Sequence, residues 1–172
     1  MKTLVAYFSK FGNTRRIAEA IVETLMQAGD VRTINVDQLA VPDLQEVDLV
    51  VMGSPTHYQN LPKAVRPIFK TLPRRVLTDK SVAAFDTSLK TWGPIMLLTA
   101  AHRLLPKLRK LGGKRVVPPE TFLVEAGDSR RDGEIDLLCD GEIERAKEWA
   151  AAILKRLEPQ MQLGSEREGV ML

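Results

Sequence analysis

The residues with most chemical capacity lie in three short stretches. The first, S-K-F-G-N-T at residues 9–14, brings together Ser9, Lys10, Phe11, Gly12, Asn13 and Thr14. It follows the apolar run L-V-A-Y-F and precedes a segment of helical period. Backbone N–H groups at the start of a helix point outward, and the helix dipole favours negative charge there. Ser9, Asn13 and Thr14 add neutral donors, so the stretch suits a phosphate. It is neither a G-x-x-x-x-G-K-[S/T] loop nor a G-x-G-x-x-G loop. The alternative is plain capping of the helix by Asn13 or Thr14.

The second stretch, G-S-P-T-H-Y-Q-N-L-P at residues 53–62, opens with residues that favour a tight turn. The third, F-D-T-S-L-K-T-W-G-P at residues 85–94, holds Trp92, one of two tryptophans. An aromatic in a strand-to-helix loop is either a packing anchor or a platform for a flat ring. Asp86 suits either a turn cap or the edge of such a ring.

These stretches need elements to hold them. Residues 3–8, 31–36, 48–53 and 81–85 read as strands, and 115–124 as a fifth that Pro118-Pro119 interrupts, implying a bulge or edge position. Between them, residues 13–28 carry Ile17, Ile21 and Leu25 on one helical face, and Gly29 ends that helix. Residues 63–72 read as a helix shortened by Pro67, and 94–111 as a long one stopped by Gly112-Gly113. Asp140 is placed to cap a last helix with Ile143, Ala146, Ala150, Ile153 and Leu157 on its buried stripe. Pro159 ends that pattern, giving a domain over residues 1–158 and a mobile tail over 159–172. Continuous apolar strands with crossover helices imply an α/β fold, a doubly wound five-stranded parallel sheet covered on both faces. Ligands bind such sheets at the carboxyl ends of the strands, where all three stretches fall.

Residues 5–21 resemble the phosphate-loop signature of flavodoxins, with Ser9, Gly12, Thr14, Ala18 and Ile21 at the expected positions and a smaller residue than usual at Ala6. The G-x-P-T start of the second stretch is similar to the same family, and the resemblance covers most of residues 2–157. It implies a flavodoxin-like sheet of order 2-1-3-4-5, non-covalently bound FMN and electron transfer. By the same resemblance, residues 9–14 hold the FMN phosphate. The second loop borders the flavin ring, with Tyr58 offering a stacking face and Pro55, Thr56, His57 and Asn60 flanking it. The third loop covers the other side through Thr87, Ser88, Leu89, Trp92 and Gly93, with Asp86 at the strand end. A peptide between Pro55 and Tyr58 is expected to contact flavin N5.

Composition narrows the setting. One cysteine and two histidines exclude a disulfide within the chain and make a structural metal improbable. Cys139, beside a helix start, is expected to have a lowered pKa but no role. No stretch approaches the ~20 apolar residues of a membrane span, and no secretory leader is evident, so the expected location is cytoplasmic. The 25 basic and 22 acidic residues give a formal charge of +3, against the acidic surface of many flavodoxins. Arg103, Lys107, Arg109, Lys110, Lys114 and Arg115 read as a solvated helix face rather than a nucleic-acid footprint. Expected partners are redox proteins with an acidic docking surface. The alternatives are an FMN-dependent oxidoreductase on the same fold, such as a quinone or azo reductase or a protoporphyrinogen-oxidase-like enzyme, and a cofactor-free binding module.

Overall fold

The computed structural model describes residues 1–90, 99–126, 133 and 135–169, with side chains as far as residue 158. Its strands are β1 (Lys2–Tyr7), β2 (Asp30–Asn35), β3 (Leu49–Pro55), β4 (Ser81–Leu89), β5 (Lys114–Arg115) and β6 (Glu120–Val124). The helices are α1 (Asn13–Leu25), α2 (Ile68–Thr71), α3 (Ala100–Lys110) and α4 (Glu142–Gly169). All pairings are parallel, in the order β2-β1-β3-β4-β5, with β6 also on β4. β5 pairs with Ser81 and Val82 and β6 with residues from Phe85 to Leu89, so together they fill the fifth position. Pro118-Pro119 lies in the gap between them. Proline cannot donate to a ladder, which is why the strand divides there.

Alternation along the central strands builds two cores. Leu4, Ala6, Val50, Met52, Val82 and Ala84 face one side with Leu104, Leu105 and Leu108 of α3. Val5, Leu49, Val51, Ala83 and Phe85 face the other with Ile17, Ile21 and Leu25 of α1 and Ala146, Ala150 and Ile153 of α4. A period of two in the strands and of 3.6 in the helices brings these faces together. Phe85 meets Phe122 and Trp149 edge to face, with ring centroids 6.1 Å away in both cases. Gly53 makes room for it, since a Cβ there would lie 2.1 Å from the Phe85 ring.

Five readings of the sequence change. The helix expected over 94–111 starts at Ala100, after an extended Thr99, and residues 94–98 of that expectation lie outside the described residues. β4 continues beyond Phe85 to Leu89, so Asp86, Thr87 and Ser88 are buried strand residues rather than loop. The helix expected over 63–72 shrinks to Ile68–Thr71, with Pro67 just before it. The last helix begins at Glu142 after Gly141 (φ 81°), without Asp140 as its cap. That helix also passes Pro159 and runs to Gly169.

Candidate functional site at the carboxyl margin of the sheet

The ends of β1, β3 and β4 meet at one margin of the sheet, and side chains tie them together. Thr14 and Thr87 share a hydrogen bond of 2.7 Å, joining the first loop to β4. The Thr56 N–H donates to the Thr87 carbonyl at 2.8 Å, joining the second loop to the same strand. Phe8 N–H donates to the Gly53 carbonyl at 3.1 Å.

In the first loop, Gly12 has φ 88° and immediately precedes α1. A side chain is disfavoured in this left-handed region, and glycine adopts it without steric cost. The Ser9 Oγ accepts from the N–H of Gly12 at 3.1 Å and of Arg15 at 3.3 Å. A hydroxyl has two acceptor positions and one proton. With both acceptor positions filled, the Ser9 O–H is left to donate. The N–H groups of Asn13 and Thr14, in the first helical turn, have no intrahelical acceptor by position. Lys10 is exposed, its Nζ 4.7 Å from the Phe11 ring centroid. The loop thus offers neutral donors and one cation and no acidic group, a fit to a phosphate.

Capping of α1 by Asn13 or Thr14 does not hold, because Gly12 is the N-cap residue and the side-chain bonds of Asn13 and Thr14 go elsewhere. The Asn13 and Thr14 side chains turn inward instead. Asn13 Nδ2 donates to the Ile135 carbonyl at 2.9 Å, and its Oδ1 accepts from Leu137 N–H at 3.0 Å. Ile135 N–H donates to the Phe11 carbonyl at 3.0 Å, and Asp136 pairs with Arg16. Residues 135–137 therefore strap the first loop from a distant part of the chain. No local pattern signals this strap, since its partners lie more than a hundred residues away; only the amide of Asn13 hints at a two-sided bond.

The second loop is a tight turn. His57 and Asn60 exchange backbone hydrogen bonds, each 2.9 Å, and the residues between them, Tyr58 and Gln59, have φ of 48° and 57°. Two consecutive left-handed residues without glycine store strain, which is found at functional sites where the surroundings enforce it. Two arginines hold the turn. Arg103 Nε donates to the Gln59 carbonyl at 3.1 Å and Arg66 Nε to the Leu61 carbonyl at 2.9 Å. Sequence reasoning placed Arg103 on a solvated helix face and so missed this contact. Tyr58 is 103% exposed and Leu89 50% exposed. Burial lowers the pKa of His57 below its ordinary 6.5, and the Lys10 ammonium lowers it further. Titration is thereby moved to the acid side of the range in which a free histidine would act.

Below the surface, Asp86 is wholly buried. Its Oδ2 accepts from Thr56 Oγ1 at 2.8 Å and from the N–H of Ala101 at 2.9 Å. Thr56 Oγ1 in turn accepts from Ala100 N–H at 2.7 Å. Oδ1 has no partner of good hydrogen-bond geometry among the described residues, while the hydroxyls of Thr99 and Thr121, which are bonded to each other, act on the carboxylate from nearby. Burial raises the Asp86 pKa above 3.8, against the lowering effect of the Ala101 amide and these hydroxyls. Ser88 is also buried, its hydroxyl within 3.4 Å of the Leu89 carbonyl. Trp92 and Gly93 lie outside the described residues.

Other features stand apart. Burial and the Glu125 and Glu142 carboxylates push the Cys139 thiol up, the reverse of the expected lowering. A concavity of about 370 Å³ opens at the amino-terminal end of the sheet. Four of its charged side chains pair, Arg32 with Asp43 at 2.8 Å and Lys2 with Glu46 at 3.4 Å, and it lies at the opposite end of the strands from the three loops. Among the described residues, no cluster of His, Cys, Asp and Glu could hold a metal, and no helix is long and apolar enough to cross a membrane.

Residues 4–109 match the family model described as a flavodoxin domain. A flavodoxin of Clostridium saccharobutylicum is 33% identical over 129 residues, covering 72% of this chain and 81% of that protein. Oxidised flavodoxin 2 of Bacillus cereus superposes with a TM-score of 0.73 at 21% identity, over 91% of this chain and 99% of its own. The rubredoxin oxygen:oxidoreductase of Desulfovibrio gigas superposes with a TM-score of 0.69 at 17% identity, but over only 37% of its length. These two structural likenesses concern the fold. The family rests on the matched domain and the clostridial relative: this chain belongs to the flavodoxin family.

Proposed function

We propose that this chain, an FMN-binding electron-transfer protein by family, holds its cofactor across the three converging strand ends. The observation that carries the assignment is the division of labour there. Open N–H groups, the Ser9 hydroxyl and Lys10 surround the first loop, and the exposed Tyr58 and Leu89 stand at the other two strand ends. A phosphate fits the former and a flat apolar ring the latter. In this reading the backbone of residues 10–14 and the Ser9 hydroxyl hold the phosphate, while Asn13 and Thr14 shape the loop through their side chains. Tyr58, Leu89, His57 and Pro55 flank the ring, with Trp92 and Gly93 assigned to the same side as Leu89 by family resemblance alone. The flavin supplies the redox chemistry; the protein sets its access and potential.

The tight His57–Asn60 turn has no insertion to wall off a substrate pocket, which favours a carrier over an enzyme. Lys10, Lys63 and Arg66 are exposed around the margin. Their charge favours the more negative reduced cofactor, giving a potential less negative than that of a strongly acidic flavodoxin. It also calls for an acidic partner, with association weakening as salt rises. A cytoplasmic location belongs to the same proposal.

The test begins with fluorescence quenching of FMN by the flavin-free chain, for which saturable one-to-one binding is expected. Reduction through a separate reductase, without NAD(P)H oxidation by the isolated protein, then supports the carrier. No quenching at saturating chain would defeat the assignment of the site.

A further inference from the structure

The family resemblance gives Thr56 a hydrogen bond toward a ligand and leaves Asp86 between a turn cap and the ring edge, while the Thr56 hydroxyl and Asp86 Oδ2 are bonded to each other and to the start of α3. We infer that Thr56, seated on Asp86 and the first turn of α3, is the latch that fixes the second loop in its strained shape. Three separate elements converge on two oxygen atoms. Thr56 Oγ1 receives Ala100 N–H at 2.7 Å and donates to Asp86 Oδ2 at 2.8 Å, and that same Oδ2 receives Ala101 N–H at 2.9 Å. Asp86 comes from β4, Thr56 from the segment after β3, and the two amides from the start of α3. Arg103, one turn further along α3, reaches over to the Gln59 carbonyl.

The chemistry of these groups explains the arrangement. Ala100 and Ala101 are among the first-turn amides that no helix can satisfy internally. A carboxylate at a helix start also interacts favourably with the dipole. The two residues are therefore stable together in a buried place where each alone would leave a donor unpaired. Thr56 directly precedes His57, whose backbone closes the turn that carries Tyr58 and Gln59 in the left-handed region. Left-handed backbone at non-glycine residues persists only when the surroundings over-determine it. The latch on one flank and the Arg66 and Arg103 guanidinium groups on the other supply that determination. Thr56 and Asp86 are thus positioning residues, acting on the cofactor through the shape of the loop.

The inference rests on the FMN assignment for its effect on binding, but the latch itself is testable without FMN. The variants are Thr56→Val, which keeps the shape and removes the hydroxyl, and Thr56→Ser, which restores it. Amide hydrogen exchange on the flavin-free chain is expected to quicken at Ala100 and at His57 and Asn60 in T56V by about tenfold or more, and to return toward the parent rates in T56S. With FMN, T56V is expected to bind roughly ten- to a hundredfold more weakly, and T56S within a few-fold of the parent. Circular dichroism confirms that each variant is folded; if T56V does not fold, Asp86→Asn is read in its place. In that variant the amide oxygen can still accept at one position, so it should show a smaller change of the same kind. Unchanged exchange in the turn together with unchanged FMN affinity in T56V overturns the latch while leaving the FMN site intact. Equal weakening in T56V and T56S also overturns it, because the hydroxyl would then not be the cause. Should the parent chain bind no FMN, the exchange measurements alone decide the latch and the site assignment fails separately.

Discussion

Two sets of polar groups lie side by side at the carboxyl margin, and they are used in opposite ways. In the loop of residues 9–14, the Asn13 and Thr14 N–H groups have no intrahelical acceptor, while the side chains of these two residues turn in to hold the loop's shape. At the ends of β3 and β4, Thr56 and Asp86 Oδ2 bond each other and the start of α3, and Thr99 bonds Thr121, so these groups are spent on the protein itself. Hydroxyl and amide residues in a loop therefore do not by themselves mark ligand contacts. What marks the first loop is a helix start whose amides have been left without acceptors.

The sharpest way to break this contrast is to remove the inward anchor. Asp86→Ala strands the Ala101 amide and the Thr56 hydroxyl in a buried place. A loss of about 2–5 kcal/mol in stability is expected, read by urea unfolding. Burial raises the Asp86 pKa, so the folded chain holds that proton more tightly than the unfolded one. Its contribution to stability is full below 3.8 and is lost as pH rises through the raised value. Asp86→Asn should flatten that part of the stability–pH curve, and an unchanged slope would assign it to other groups.

Attacking the outward set should cost less stability but more binding. Gly12→Val forces a β-branched residue to φ 88°, a strain of about 1–3 kcal/mol. The loop's donors then lose their alignment, and FMN affinity should fall at least a hundredfold in a fluorescence titration. Ser9→Ala removes one acceptor for two amides and one donor toward the anion. The expected cost is about 1 kcal/mol of stability, with a several-fold weaker FMN complex.

The smallest effect concerns His57. Its lowered pKa means the folded chain favours the neutral ring, so its contribution to stability is complete above 6.5 and declines as pH falls through the lowered value. His57→Gln should lessen the loss on the acid side and change little at neutrality. Lys10→Gln should move the His57 titration, followed by NMR, back upward.

The sequence is most informative where the structure is local. The run from β1 through Gly12 to α1 is contiguous, and its strand, turn and helix signals agree. The apolar strands β1 and β3 are equally plain, as is the break at Pro118-Pro119. Legibility fails where polarity is mistaken for exposure. D-T-S after Phe85 looks like the start of a loop, yet these residues continue β4 between β3 and β6, with Thr87 bonded to Thr14 of α1 and Asp86 to Thr56 beyond β3. Residues 63–72 show the reverse error. Apolar positions at helical spacing suggested a full helix, but Pro62 and Pro67 leave only Ile68–Thr71. Within the site, the exposure of Tyr58 goes with its place in a short polar turn, whereas the inward turn of Asn13 depends on Ile135 and Leu137, which no local window contains.

The segment at residues 135–137 has a practical consequence for anyone moving this loop to another protein. The matched flavodoxin domain ends at residue 109, and every phosphate-side residue lies within it. A graft or truncation cut at that boundary would carry the whole motif but lose the peptide groups that clasp Asn13 and Phe11. Such a fragment would look complete in an alignment and still have an unfastened cradle.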